Sequence, residues 1–146
     1  MNTKAIGEIT EAVVLAELVR NGYVVLLPFG DNQRYDMVVD TGSQFITIQC
    51  KTACESPNEG SIVFPTCSSS YHRGGPKKGY KGEVDYFAVY YPGNRQVYMV
   101  KVDEVGDKSA HLRLEPSKSG QESRVRYAHD YLLENWLGSS NGRASV

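Results

Sequence analysis

The sequence predicts a mixed α/β fold in which a central mixed sheet is flanked by an N-terminal and a C-terminal helix. Three observations predict it: helically spaced apolar residues near the start, two pairs of β-rich runs each joined by turn residues, and an aromatic, helix-compatible segment near the end. At 146 residues and 40% hydrophobic, the chain can build one ordinary core and falls short of two. A single domain over residues 1–137 is therefore expected, with the small, polar residues 138–146 as a disordered tail.

In residues 4–20, Ile6, Ile9, Val13, Ala16 and Val19 recur at steps of three and four. Asn21-Gly22 then marks a helix stop, so the expected element is an amphipathic helix with those residues on one face. Residues 23–27 are a short apolar run ended by Pro28, and residues 35–39 are a second strand candidate; residues 30–33 between them are polar and turn-rich. Asp40-Thr41-Gly42-Ser43 reads as a hairpin turn. Residues 45–51 follow as a strand with Ile46, Ile48 and Cys50 on one face and Thr47, Gln49 and Lys51 on the other, the first face core and the second polar. A further strand is expected over residues 61–65. Residues 68–82 lack any apolar period and form an expected functional loop. Residues 85–91 and 96–101 make a second hairpin around Pro92-Gly93-Asn94-Arg95, and residues 127–137 make a closing helix that packs through Tyr127, Tyr131, Leu132 and Trp136. The sequence contains no internal repeat.

The formal net charge of −1 excludes a uniformly basic nucleic-acid binder, since phosphate neutralisation requires concentrated Lys and Arg. Residues 71–81, however, carry His72, Arg73, Lys77, Lys78 and Lys81 with no acidic residue, a local positive patch. Neither a basic leader followed by an apolar run nor an apolar stretch of the ~20 residues that span a bilayer is present, so a soluble, cytoplasmic protein is expected. Cys50, Cys54 and Cys67 are odd in number and lack CxxC spacing, which argues against a disulfide framework or a zinc ribbon. His72, His111 and His129 are too scattered to form a metal set.

Asp36 stands at the start of one hairpin strand, and Gln49 and Lys51 share a face of its partner, so antiparallel pairing gathers the three at one end of the sheet. Glu8 and Glu11 lie three apart on the first helix, and one of them can reach the same cluster. Oxygen donors without a His or Cys set favour Mg²⁺, with Mn²⁺ as a substitute, over zinc. Taken singly these residues say little, because a helix carboxylate is usually a solvated charge and an Asp beside a turn is usually a local acceptor. Their order along the chain carries the information.

That order, Gly7-x-x-x-Glu11, Tyr35-Asp36 and Ile48-Gln49-Cys50-Lys51-Thr52, resembles the PD-(D/E)XK nuclease core of archaeal Holliday junction resolvases and many restriction enzymes. It is more similar still to the group I intron-encoded homing endonucleases known from cyanobacteria. The closer likeness includes Leu27-Pro28-Phe29-Gly30-Asp31-Asn32 before Arg34-Tyr35-Asp36, then Val84-Asp85-Tyr86-Phe87-Ala88-Val89-Tyr90 and Val97-Tyr98-Met99-Val100. The resemblance implies a restriction-endonuclease-like fold and site-specific hydrolysis of double-stranded DNA. Glu11, Asp36 and Gln49 would hold the cation, and Lys51 would position the attacking water or steady the transition state. Gln49 stands where most of the superfamily has Asp or Glu; its amide oxygen can bind a metal without adding negative charge. Tyr35 replaces the proline of the motif. Glu8 competes with Glu11, and the spacing from Gly7 favours Glu11.

For DNA contact the expected residues are Arg34, Ser69, Tyr71, Arg73, Lys77, Lys78 and Lys81. A cut in both strands needs more than one site, so a homo-oligomer is expected, a dimer or, by the resemblance, a tetramer. A junction resolvase or restriction-like enzyme of the same fold is the alternative within this chemistry. A noncatalytic DNA-binding module, in which Gln49 marks the end of metal use, is the alternative outside it.

Overall fold

The computed structural model describes residues 1–68, 78–116 and 125–137. The first element is helix α1 (Thr3–Arg20). Asn2 caps it, its side chain accepting from the Ala5 N–H at 2.8 Å and satisfying one of the helix's unpaired first-turn donors. Gly22, at φ +88, allows Tyr23 N to donate to Leu18 O at 3.0 Å, so the chain reverses where Asn21-Gly22 predicted.

A five-stranded mixed sheet follows, in the order β1-β2-β3-β6-β7. Its strands are β1 (Val24–Leu26), β2 (Met37–Asp40), β3 (Phe45–Thr52), β6 (Tyr86–Tyr91) and β7 (Gln96–Lys101). Both predicted hairpins form, β2–β3 around Gly42 at φ +92 and β6–β7 around Arg95 at φ +60. The central pairing, β3 with β6, is parallel. Asp85 aligns it: Oδ2 accepts from Thr47 N at 2.9 Å, and Asp85 N donates to Thr47 Oγ1 at 3.0 Å. A smaller antiparallel sheet, in the order β4-β5-β8, consists of β4 (Cys54–Glu55), β5 (Ser61–Pro65) and β8 (Ser109–Arg113).

These elements make three layers and two cores. On one face of the large sheet, Val14 and Leu18 of α1 pack with Met37, Val39, Ile46, Ile48, Ala88 and Met99. On the other face, Phe87, Val89, Tyr98 and Val100 pack with Ile62 and Phe64 of β5 and with Ala110 and Leu112 of β8.

Three expectations are corrected. The predicted closing helix over residues 127–137 is two 3₁₀ turns, Ala128–Tyr131 and Leu133–Asn135, so α1 is the one α-helix among the described residues. Leu132, between them, is extended at ψ 137, and Leu137 has φ +56. Tertiary packing overrides helix propensity there, because Ala128 enters one core while Leu133 and Trp136 enter the other. The buried line of α1 is Thr10, Val14 and Leu18, not the predicted stripe, and Ile9 and Val19 are 44% and 56% exposed. A helix apolar on most sides leaves several faces possible, and the one chosen is the one whose threonine finds a partner. Finally, the Gln49 and Lys51 face of β3 is not purely polar: both residues are half-buried, and their partners in β6, Phe87 and Val89, belong to the core shared with the small sheet. Residues 138–146, the expected disordered tail, lie outside the described residues, as do Ser69, Tyr71, Arg73 and Lys77.

Candidate active site

Asp36 lies one residue before β2. Its N–H still donates to Ile48 O at 2.8 Å, while its Oδ2 accepts from Cys50 N at 2.9 Å. Just before the start of β2, the Asp36 carboxylate and not a backbone carbonyl accepts from this part of β3, which pins the side chain to that strand. Gln49 and Lys51 sit in register with Phe87 and Val89 of β6. On the other side of β3, Thr52 Oγ1 and Thr10 Oγ1 share a 2.6 Å hydrogen bond that locks α1 to the end of the strand. Glu11 follows Thr10 directly, so the same bond sets where it points.

Glu11 and Asp36 line one cleft of about 330 Å³ with Tyr35 and residues of the loop after β1, including Leu27 and Asp31. Glu8 is exposed and does not line it. Burial raises the Glu11 carboxyl above its usual range, and the charges of Asp36 and then Glu8 raise it further. Asp36 is raised by burial too, against the lowering effects of the Cys50 N–H and of Lys51. Burial pushes the Lys51 amine down to about 8. Lys51 Nζ donates to Cys67 O at 3.0 Å and to the Tyr80 hydroxyl at 3.3 Å. Cys50, half-buried beside Asp36, has its thiol raised by burial and by the two carboxylates, as suits a packing residue and not a nucleophile.

Of the predicted quartet, Glu11, Asp36 and Lys51 are linked in sequence by their fields at one end of β3, and Gln49 shares the Lys51 face of that strand. Among the described residues no three His, Cys, Asp or Glu side chains assemble into a metal-ligand group. The acids here number two, and the third donor is an amide. The donor types nevertheless fit a hard cation: two carboxylates that desolvation disfavours as anions, and Gln49 Oε1, buried and without a hydrogen-bond partner among the described residues.

Arg34, expected at phosphate, has its guanidinium engaged. It lies 4.0 Å from the Tyr80 ring centroid, donates to the carbonyls of Gly79 and Lys78, and has Nε 3.2 Å from Glu83 Oε2, an ion pair lacking hydrogen-bond alignment. Lys78 Nζ is 3.2 Å from Glu83 Oε1, and Lys81 is exposed. Sequence reasoning missed Tyr80. As one of ten tyrosines at the end of a glycine-rich segment, it carried no local signal.

The bacterial homing endonuclease I-Ssp6803I shares the fold at a TM-score of 0.64 and 24% identity, with 90% of this chain and 86% of that chain covered. The Holliday junction resolvase Hjc of Archaeoglobus fulgidus aligns at a TM-score of 0.45 and 19% identity, over 73% of this chain and 83% of its own. No curated protein matches the sequence. The profile of the PD-(D/E)XK endonuclease family, in contrast, matches residues 1–134, which span α1, both sheets and every member of the quartet, and the chain belongs to that family.

Proposed function

We propose that this protein is a metal-dependent endonuclease of the homing type that hydrolyses double-stranded DNA at a defined site, with residues 1–137 as one nuclease domain. One observation supports the reading: Glu11 and Asp36 line a single cleft, Asp36 and the partly desolvated Lys51 amine lie in each other's field, and Gln49, on the Lys51 face of β3, has a buried amide oxygen without a partner among the described residues.

In this reading Glu11, Asp36 and Gln49 Oε1 hold a divalent cation, Mg²⁺ with Mn²⁺ as a substitute. When bound, the cation supplies Lewis-acid polarisation of the scissile phosphate. Lys51 contributes positive charge beside the phosphate and orients the attacking water. Its hydrogen bonds to Cys67 O and the Tyr80 hydroxyl hold the ammonium in place beside Asp36. Asp36 keeps its place in the absence of metal because the Cys50 N–H holds one oxygen. DNA is held by Lys78 and Lys81, together with Ser69, Tyr71, Arg73 and Lys77 of the basic segment. The protein acts as a homo-oligomer, a dimer or tetramer, because one centre cuts one strand.

The test is incubation of a mixed duplex library with and without Mg²⁺, followed by mapping of the cut ends. Recurrent ends at one sequence, present with Mg²⁺ and absent after Asp36→Ala, support the reading. Cutting that is confined to four-way junctions redirects it to a resolvase. Equal cutting by wild type, Asp36→Ala and Lys51→Ala removes it.

A further inference from the structure

The two faces of the large sheet are covered unequally. Val25, Val39 and Ile46 form one row across β1, β2 and β3 and pack under α1. Side chains alternate along a strand, so the rows on either side, Val24-Asp40-Phe45 and Leu26-Val38-Thr47, point the opposite way. The core under the small sheet lies on that second face, yet it takes Phe87, Val89, Tyr98 and Val100 from β6 and β7 and no residue from β1 or β2. A step one layer deep is left beside the small sheet, floored by the two rows.

The floor of the step is apolar and open. Val24, Leu26 and Phe45 are exposed, and the chain runs on from Leu26 into Leu27 and Phe29, with exposures from 44% at Leu26 to 100% at Phe29. With a whole aromatic side chain worth about 200 Å², the five come to on the order of 500 Å² per copy, a size at which apolar patches are commonly functional. The edge of β1 is unfinished too. Tyr98 and Leu132 form a β-bridge across the outer side of β7, whereas β1 has β2 on one side and no strand among the described residues on the other. Its sequence, Val24-Val25-Leu26, lacks the charge or proline that commonly guards such an edge.

The chemistry of the floor selects what can cover it. Its two polar side chains are already engaged: Asp40 Oδ1 accepts from Gly42 N at 2.8 Å, and Thr47 Oγ1 donates to Asp85 Oδ2 at 3.1 Å. The rows hold no cation, so a phosphate backbone has nothing to pair with there. Another apolar sheet face fits, because sheets pack face to face about 10 Å apart, the depth of the layer that the small sheet already occupies. A second copy of this chain brings such a face. A standard interface takes about 800 Å² from each partner, with an apolar centre and a polar rim, and the patch with its surrounding residues matches that size.

We propose that this face joins two copies of the chain, packed sheet on sheet about a twofold axis that runs along the strands. The step of each copy then receives β1, β2 and β3 of the other, and the small sheet of the partner comes to lie beyond the β1 edge. Leu27 also lines the cleft that holds Glu11 and Asp36, so the cleft of each copy borders the contact. The inference gives a surface to the homo-oligomer of the proposed function, but it stands on register and apolar burial and not on the nuclease reading.

The experiment is sedimentation of the full chain without DNA or metal. Wild type is expected as a dimer or a larger even assembly. Leu26→Lys and Phe45→Lys, at positions exposed within one copy, are expected to keep the circular dichroism and melting temperature of the fold, and each weakens association on the order of 100-fold because a charge is buried twice per dimer. Leu114→Lys, at an exposed leucine after β8, leaves association unchanged. A double variant with Lys at positions 26 and 45, mixed with one carrying Glu at both, recovers the assembly that neither forms alone. A wild type that stays monomeric up to its solubility limit overturns the proposal and points to a different partner. Association untouched by both single Lys variants, or weakened as much by Leu114→Lys, overturns it as well, as does a mixture that fails to recover. Cleavage is assayed separately: a dimer with these responses that cuts no duplex defeats the nuclease reading and leaves the interface standing.

Discussion

Asp36 illustrates how one side chain can hold a strand in place and still present a charge to a cleft. Its Oδ2 replaces a backbone acceptor for Cys50 N, yet its charge is disfavoured by burial and lies close enough to raise Glu11. Asp36→Asn keeps an oxygen for Cys50 and removes the charge. The expected outcome is a metal-free melting temperature no lower than wild type, with cleavage reduced by about 100-fold or more; calorimetry and a plasmid-nicking assay check the two halves. Gln49→Glu runs in the opposite direction. A third carboxylate in the same field lowers metal-free stability and strengthens cation binding by roughly tenfold, close to 1.4 kcal/mol. Melting curves with and without Mg²⁺ report both, and a metal-free melting temperature above wild type would count against the shared site.

At the scale of elements, the docking of α1 onto β3 decides where Glu11 sits. The Thr10–Thr52 bond at 2.6 Å is a polar contact at the edge of an apolar interface. Removing one partner strands the other hydroxyl, whereas replacing both restores an apolar contact. Thr10→Val and Thr52→Val singly are expected to cost about 1 kcal/mol each, and the double variant less than their sum. Urea unfolding of the four proteins measures the coupling; strict additivity would show that the bond contributes nothing. The second sheet has a similar positional role, because it covers the face of β3 that carries Lys51 and places Cys67 O against the ammonium.

At the scale of the whole molecule, a net charge of −1 means that the proposed DNA binding would depend on where the cations lie and not on their overall balance. No helix among the described residues is long and apolar enough to cross a membrane. Because a ligand bound to the native state alone stabilises that state, Mg²⁺ at about 100 times its dissociation constant is expected to add about 2.7 kcal/mol. A melting temperature unmoved by Mg²⁺ or Mn²⁺ would favour a noncatalytic DNA-binding module. Light scattering of the DNA complex is expected to show more than one chain per duplex; a monomer on its target would contradict the oligomer.

What the sequence determined by itself was local: where α1 stops, both hairpins of the large sheet, the alternation of faces along β3, and the order of Glu11, Asp36, Gln49 and Lys51. These follow from turn chemistry and from periods of two and 3.6 residues, which act over a few neighbouring residues. Tertiary structure decided which side of α1 is buried, that residues 127–137 bend into 3₁₀ turns, that β4, β5 and β8 form a sheet over the Lys51 face, and that Tyr80 stands beside Lys51. Each of those depends on contacts between residues far apart in the chain, where packing and desolvation outweigh local preference, and no window of the sequence contains both partners.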